Sequence, residues 1–318
     1  MRIKFLSGKY PADALSTKIC DSLAAVVFPR DGRSRLRGIS KGWDHPNIAR
    51  EYEIFARACP LYHEMASSLV LKIVGGEDRR LVDLGAGTGI STLEMLQNVH
   101  PDSVVWAVDP SEAMLSRARE DIRDSRVRWL VGDIQALVES RGTGWVDSLL
   151  ANGAIWLEPQ PELFFRQVYD ILASKGSFGC TLPAEYLGDI EHLLSPEARS
   201  FAKVLDSIRR AAVGKKKFVH DHGAPEPNAD AAFPVTAEGV AWLLRGIGFE
   251  KVSLQREETL VTADDRARWY ALPPILDAWL PGVEAAGRAA AIRELFARVS
   301  VLPPFRLSWV SIWAEKGP

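Results

Sequence analysis

The chain has 318 residues, a formal net charge of −2, and 25% charged and 47% hydrophobic residues. That length supports a sizeable core in one large or two modest domains, and the charge balance excludes a global bias toward nucleic acid or membrane surfaces. Three cysteines, Cys20, Cys59 and Cys180, lie far apart with no C-x-x-C pair, which excludes a disulfide framework or a structural zinc site.

The first residues hold no apolar run of secretory length, and no later run approaches the roughly 20 apolar residues of a membrane span. A cytoplasmic protein is expected, with no membrane partner. Residues 1–48 read as an N-terminal extension, in which basic, Gly-containing pieces surround a short apolar stretch, Leu23 to Phe28. A partly ordered arm and a lid over a pocket are both open readings of it. From Ile48 to Val74 the apolar spacing is helical, and Gly75-Gly76 ends that segment.

A regular alternation follows. Strands are predicted at Arg80 to Leu84, Ser103 to Val108, Val127 to Val131, Asp147 to Ala151 and Ser177 to Leu182. Helices are predicted at 90–98, after Pro110-Ser111, and from Glu162 to Ala173. Glu185 to Ala212 reads as helical and precedes a polar, Pro-containing stretch. A helix capped by Thr236 leads to a sixth strand, Glu250 to Gln255. Residues 262–303 read as two helices, and Arg306 to Ala314 as a final strand whose direction crossover logic leaves open. The expected organisation is a core over 49–183, a helical insertion over 184–235, and a return to the core sheet over 236–318. Such alternation implies a parallel sheet covered on both faces.

One run carries the chemistry: Leu81-Val82-Asp83-Leu84-Gly85-Ala86-Gly87-Thr88-Gly89. A short apolar strand ends in an acid, and three glycines at alternate positions lead into a helix. Glycine lets a ligand lie against the backbone, and such turns bind nucleotide-like cofactors at the carboxyl edge of a parallel sheet. The spacing differs from the dinucleotide fingerprint G-x-G-x-x-G. Asp109, ending the second strand, is an acid suited to the cis-diol of a ribose.

The acid-x-Gly-x-Gly-x-Gly turn, Ala107-Val108-Asp109-Pro110-Ser111 with Met114-Leu115, Gly132-Asp133-Ile134, and Val146 to Asn152 with Trp156 stand in order at successive strand ends. Together they resemble the class I S-adenosylmethionine (SAM)-dependent methyltransferases, and most closely the small-molecule enzymes with a "methyltransferase 11" type core. The resemblance implies a Rossmann-like α/β fold, with a seven-stranded, mostly parallel sheet, helices on both faces and helical lid insertions. It also implies SAM as cofactor, with S-adenosylhomocysteine as product. On this reading the cofactor-binding residues are Asp83, Gly85, Gly87, Gly89, Asp109, Met114, Asp133, Ile134 and Asn152, with Tyr52 closing over them from the preceding helix.

The acceptor half is less specific. A phenol, amine or carbon acceptor calls for a base, and the candidate catalytic residues are Glu158 at the sheet edge, Tyr186 near the expected mouth, and His220 and His222 in the loop between the fifth and sixth strands, where they could titrate near neutrality or bind metal. A helix-start acid is the plainer reading of Glu158, and a solvated loop that of the two histidines. Lys215-Lys216-Lys217 reads either as a solvated loop or as a grip on an anionic acceptor. Trp242, Trp269 and Trp279 belong either to the core or to an apolar acceptor pocket. No bound metal is expected, and nucleic acid is disfavoured because no basic stripe with interleaved aromatics occurs. The leading expectation is a methyltransferase for a small, apolar or aromatic metabolite, as in natural-product biosynthesis, acting as monomer or homodimer. A non-methylating cyclase or eliminase of the same fold, and a non-catalytic SAM-binding partner subunit, are the alternatives.

Overall fold

Apolar strands buried on both faces need cover on both faces, and the chain supplies it by alternating strand with helix. The computed structural model describes residues 42–155, 158, 160–184, 195–213 and 236–318. Strands β1 (Arg80–Leu84), β2 (Val104–Asp109), β3 (Val127–Val131), β4 (Val146–Asn152) and β5 (Leu172–Pro183) run parallel. Strands β6 (Phe249–Val261) and β7 (Phe305–Lys316) complete a seven-stranded sheet in the order β3-β2-β1-β4-β5-β7-β6. Strand β7 is antiparallel to both neighbours, which settles the direction that the sequence left open. The Rossmann-like, mostly parallel sheet is therefore present.

Two helices precede the sheet, α1 (Pro46–Ala58) and α2 (Pro60–Ile73). The apolar spacing predicts one helix here, but Pro60 lacks an N–H and starts a second, so the chain turns at Cys59. Between the parallel strands lie α3 (Ile90–Asn98), α4 (Glu112–Asp121), α5 (Ile134–Arg141) and α6 (Pro161–Ile171). Helix α5 was not anticipated, although Asp133 caps it by accepting from the Ala136 N–H at 3.0 Å. Helix α6 buries Phe164, Phe165, Val168 and Ile171 on one stripe. Each such side chain contributes roughly 1.5–3 kcal/mol when removed from water.

The remaining helices are α7 (Pro196–Val213), α8 (Ala237–Ile247), α9 (Ala263–Ala271), α10 (Pro273–Trp279) and α11 (Ala285–Val299). Thr236 caps α8 as expected, accepting from Gly239 N–H at 2.9 Å. Residues 262–303 form three helices rather than two, because Pro273 divides the first predicted one. Helices α7, α9, α10 and α11 share an apolar cluster with α1, built on Phe55, Phe201, Trp269 and Trp279. On the sheet, Glu257 of β6 ties down α2, pairing with Lys72 at 2.7 Å and accepting from Ser68 at 2.9 Å. Among the described residues no helix is long and apolar enough to cross a membrane.

Strands β1, β2 and β3 end in step, with Leu84 opposite Val108 and Asp109 opposite Val131. The residues after each strand therefore arrive at one edge of the sheet. The chain winds outward from β1 to β3 and then crosses to β4 on the other side of β1. That reversal opens a crevice at the carboxyl edge between β1 and β4.

Candidate functional site

The glycine turn after β1 is fastened to the end of β2. The N–H groups of Gly85 and Ala86 both donate to the Val108 carbonyl, at 2.8 and 3.0 Å. Gly85 has φ +74°, and a Cβ there would stand 2.4 Å from the Ala154 Cβ. Gly87 has φ +53°, with open space where its side chain would be and Tyr52 at 3.9 Å. No other residue meets both demands cheaply.

Asp109 closes this assembly. Its carboxylate accepts from Gly87 N–H and from Ser111 N–H, each at 2.8 Å. Burial pushes the Asp109 carboxyl up to about 6, against these two hydrogen bonds and aided by the charge of Asp44. Ser111 in turn accepts from Met114 N–H at 3.1 Å and starts α4. The second predicted signature is thus a strand end, a doubly bonded acid and a capped helix.

The crevice holds a cavity of about 370 Å³, within the usual range for small-molecule sites. Gly85, Gly87, Asp109, Met114, Asp133, Ile134, Asn152, Tyr52 and Glu158, all singled out from the sequence, line it together. Asn152 is held in place by donating to Ser91 Oγ at 3.2 Å and accepting from Thr181 Oγ1 at 2.5 Å. Burial pushes the Glu158 carboxyl up, opposed by a hydrogen bond from Gln160 N–H and reinforced by the Asp133 charge. Burial, with the Asp109 charge, also raises the Tyr52 hydroxyl, so it stays a neutral phenol.

Two predicted positions do not reach the cavity. Asp83 is fully buried beneath the turn, where it accepts from Thr92 Oγ1 at 2.6 Å and leaves its Oδ1 without a partner. The alternation of a strand aims it at α3, away from the ligand side. Gly89 is the N-cap of α3, and a Cβ there would strike Ile122 at 2.6 Å, so this glycine serves helix packing. Tyr186, His220, His222 and Lys215 to Lys217 lie outside the described residues. Of the three tryptophans weighed for a pocket, Trp269 lines the cavity, Trp279 is buried in the core and Trp242 is 73% exposed.

The sequence reading missed Trp43, which lines the cavity beside Tyr52 with their rings 5.3 Å apart. Trp43 also stacks on Trp269, with ring centroids 6.3 Å apart. The segment carrying Trp43 is anchored by Asp44, which accepts from Ser111 Oγ at 3.1 Å and Ala113 N–H at 3.2 Å. Helix α1 is clamped further along by Glu53, a buried carboxylate bonded to Arg117 of α4 at 2.6 Å and to Arg57 at 3.2 Å. The available signal was an acid two residues before Pro46, the start of a helix that carries Tyr52. Among the described lining residues, Asp109, Asp133 and Glu158 are acidic and none is Lys or Arg. Among the described residues, no group of His, Cys, Asp and Glu is arranged to hold a metal ion.

Residues 81–176 match the family described as a methyltransferase domain. The trans-aconitate 2-methyltransferase of Deinococcus radiodurans is 31% identical over 162 residues, covering 51% of this chain and 57% of that protein. A malonyl-[acyl-carrier protein] O-methyltransferase of Bacteroides fragilis is 32% identical over 132 residues, covering 42% of this chain and 25% of that protein. The chain thus spans about half the length, or less, of the curated relatives it matches. The solved YcgJ protein of Bacillus subtilis shares the fold at 14% identity, with a TM-score of 0.51 over 80% of this chain and 99% of that one. The glycine turn, the acids at the ends of β2 and β3 and the start of α4 all fall within residues 81–176, the stretch that matches a methyltransferase domain.

Proposed function

We propose that this chain binds SAM in the 370 Å³ cavity and transfers its methyl group to a small, neutral, apolar or aromatic acceptor. The observation that carries the reading is convergence. Gly85 and Gly87, Asp109 with Met114, and Asp133 with Ile134 come from three strand ends and line one cavity. Asp109 has the chemistry to accept hydrogen bonds from a ribose diol, while its bonds to Gly87 and Ser111 keep it oriented. Asp133 and the backbone at Ile134 suit the polar edge of an adenine, and Met114 its face.

When bound, SAM would supply an activated methyl group, which the acceptor takes in line as the methyl–sulfur bond breaks and S-adenosylhomocysteine leaves. The protein's task is then to align the acceptor and exclude water. Trp43, Tyr52 and Trp269 offer an apolar wall for that purpose. Their rings suit a flat or apolar acceptor, and among the described lining residues no Lys or Arg stands ready to pair with a polyanion. The names of two relatives point instead to carboxylate acceptors.

Incubation with methyl-labelled SAM and separate panels of acceptors tests the proposal. Phenols, apolar alcohols and aromatic amines should become labelled, with S-adenosylhomocysteine formed in equal amount. Label on trans-aconitate or malonyl-acyl carrier protein alone would overturn the acceptor class. Retention of intact SAM without transfer to any acceptor would favour a non-methylating role.

A further inference from the structure

Strand β6 is an edge strand, and among the described residues it pairs with β7 alone. Its ladder to β7 is regular from Ser253, opposite Trp313, to Val261, opposite Phe305. A register shift between Glu250 and Ser253 bounds that stretch on one side, and α9 starts after Thr262 on the other. The N–H and C=O groups along its outer edge are a template for another strand. None of the residues that line the cavity belongs to this edge.

One face of the edge also carries uncovered apolar side chains. Leu254 and Leu260 are 38% and 64% exposed. Helix α8 runs along the same face, where Glu238 pairs with Arg256 at 3.4 Å and Arg245 donates to the Val252 carbonyl at 3.1 Å. Trp242, itself exposed, stands on the helix stripe between these two anchors. Exposed apolar side chains gathered beside an open edge mark an interaction surface.

The side-chain order along β6 points to the occupant. A second, antiparallel copy related by a two-fold axis meets β6 in a register set by where the axis crosses it. An axis at Arg256 or at Glu258 sets that charge against its own copy, and an axis at Gln255 sets Leu254 against Arg256. With the axis at Glu257, the midpoint of the regular stretch, Arg256 faces Glu258 of the second copy and Leu254 faces its Leu260. Glu257 then meets its own copy on the other face of the sheet, but its carboxylate is neutralised by Lys72 at 2.7 Å and accepts from Ser311 Oγ at 3.1 Å. Opposite charges and apolar pairs directly across a ladder strengthen it, and like charges weaken it.

We infer that β6 is a homodimer interface, in which two copies of this chain pair antiparallel about a two-fold axis at Glu257. The two seven-stranded sheets then join into one continuous sheet. Of the registers that pair most of the regular stretch, this one makes the edge complementary to itself in both charge and apolar contact.

Sedimentation velocity of the full chain over a concentration series tests the interface, with thermal melts to establish that each variant is folded. The wild type should sediment as a dimer. Arg256→Glu sets Glu against Glu at both symmetry-related contacts, and Glu258→Arg sets Arg against Arg, so each should raise the dimer Kd roughly tenfold or more. The double variant, Arg256→Glu with Glu258→Arg, restores opposite charges and should dimerise again. An equimolar mixture of the two single variants should do the same, since each faces its complement in the other. A wild type that stays monomeric throughout the series overturns the interface. A dimer indifferent to both single substitutions, or restored by neither the double variant nor the mixture, overturns it too and assigns association to another surface.

Discussion

The carboxylate of Asp109 accepts a hydrogen bond from Gly87 N–H at 2.8 Å, so the acid that ends β2 holds the glycine turn that follows β1. Two signatures that look independent along the chain are one hydrogen-bonded unit in space. Any ligand that meets Asp109 therefore also meets a turn whose shape Asp109 maintains.

Asp109→Asn should consequently cost more than one contact. An amide has a single acceptor oxygen, so either Gly87 or Ser111 faces an N–H instead of a lone pair. A hydrogen bond to a charged group is worth about 1.5–3 kcal/mol, so S-adenosylhomocysteine affinity should fall roughly 10- to 100-fold. The pH dependence carries a sign as well. The free carboxyl titrates at about 6, and the ionised form is the acceptor. Affinity in the wild type should fall below pH 6 by up to about tenfold per unit, and this dependence should vanish in Asp109→Asn. Titrations at several pH values check both.

Gly85→Ala tests the turn. The new Cβ would meet the Ala154 Cβ at 2.4 Å, at φ +74°. Left-handed strain and overpacking together should lower stability by about 3 kcal/mol in urea unfolding and abolish SAM binding. A variant of unchanged stability would contradict the close approach.

Asp83 gives a stability signature rather than a binding one. Burial pushes its carboxyl up to about 7, against the Thr92 hydrogen bond and aided by the Asp109 charge. An unfolded Asp titrates near 3.9, so the folded chain holds this proton more tightly. The stabilisation is complete below about pH 4 and is lost as pH rises through 7, by at most about 1.4 kcal/mol per unit. Asp83→Asn should therefore gain on the wild type between about pH 4 and 7, with a constant difference above that. Paired thermal melts across this range measure it.

Glu53 links α1 to α4 through Arg117 and Arg57, next in sequence to Tyr52. Glu53→Gln leaves two guanidinium groups without their shared carboxylate. It should lower Tm and raise the KM for SAM, because Tyr52 and Trp43 lose the anchor that sets their wall. An unchanged KM with a lowered Tm would reduce Glu53 to a structural tie.

The convergence of Gly85, Asp109 and Asp133 on one cavity was legible because these residues sit at strand ends, where a short sequence window fixes both the turn and its direction. Gly85, Asp109 and Asp133 each arrive at the edge by the same local logic. Asp83 and Gly89 belong to the same motif, but a strand's alternation and a helix start turn them inward, which spacing alone does not reveal. The antiparallel β7 was not legible, since the helices before it leave either direction open. Trp43 and Trp269 are distant in sequence and meet only through packing of α1 against α9. The Glu53–Arg117 pair depends on the same long-range fit.

The most direct test is calorimetric titration of the full chain with S-adenosylhomocysteine, in the wild type and in Asp109→Asn. Saturable binding at one site per chain is expected, weakened at least tenfold in the variant. A wild type that shows no binding heat, or a variant that binds as tightly as the wild type, would contradict it.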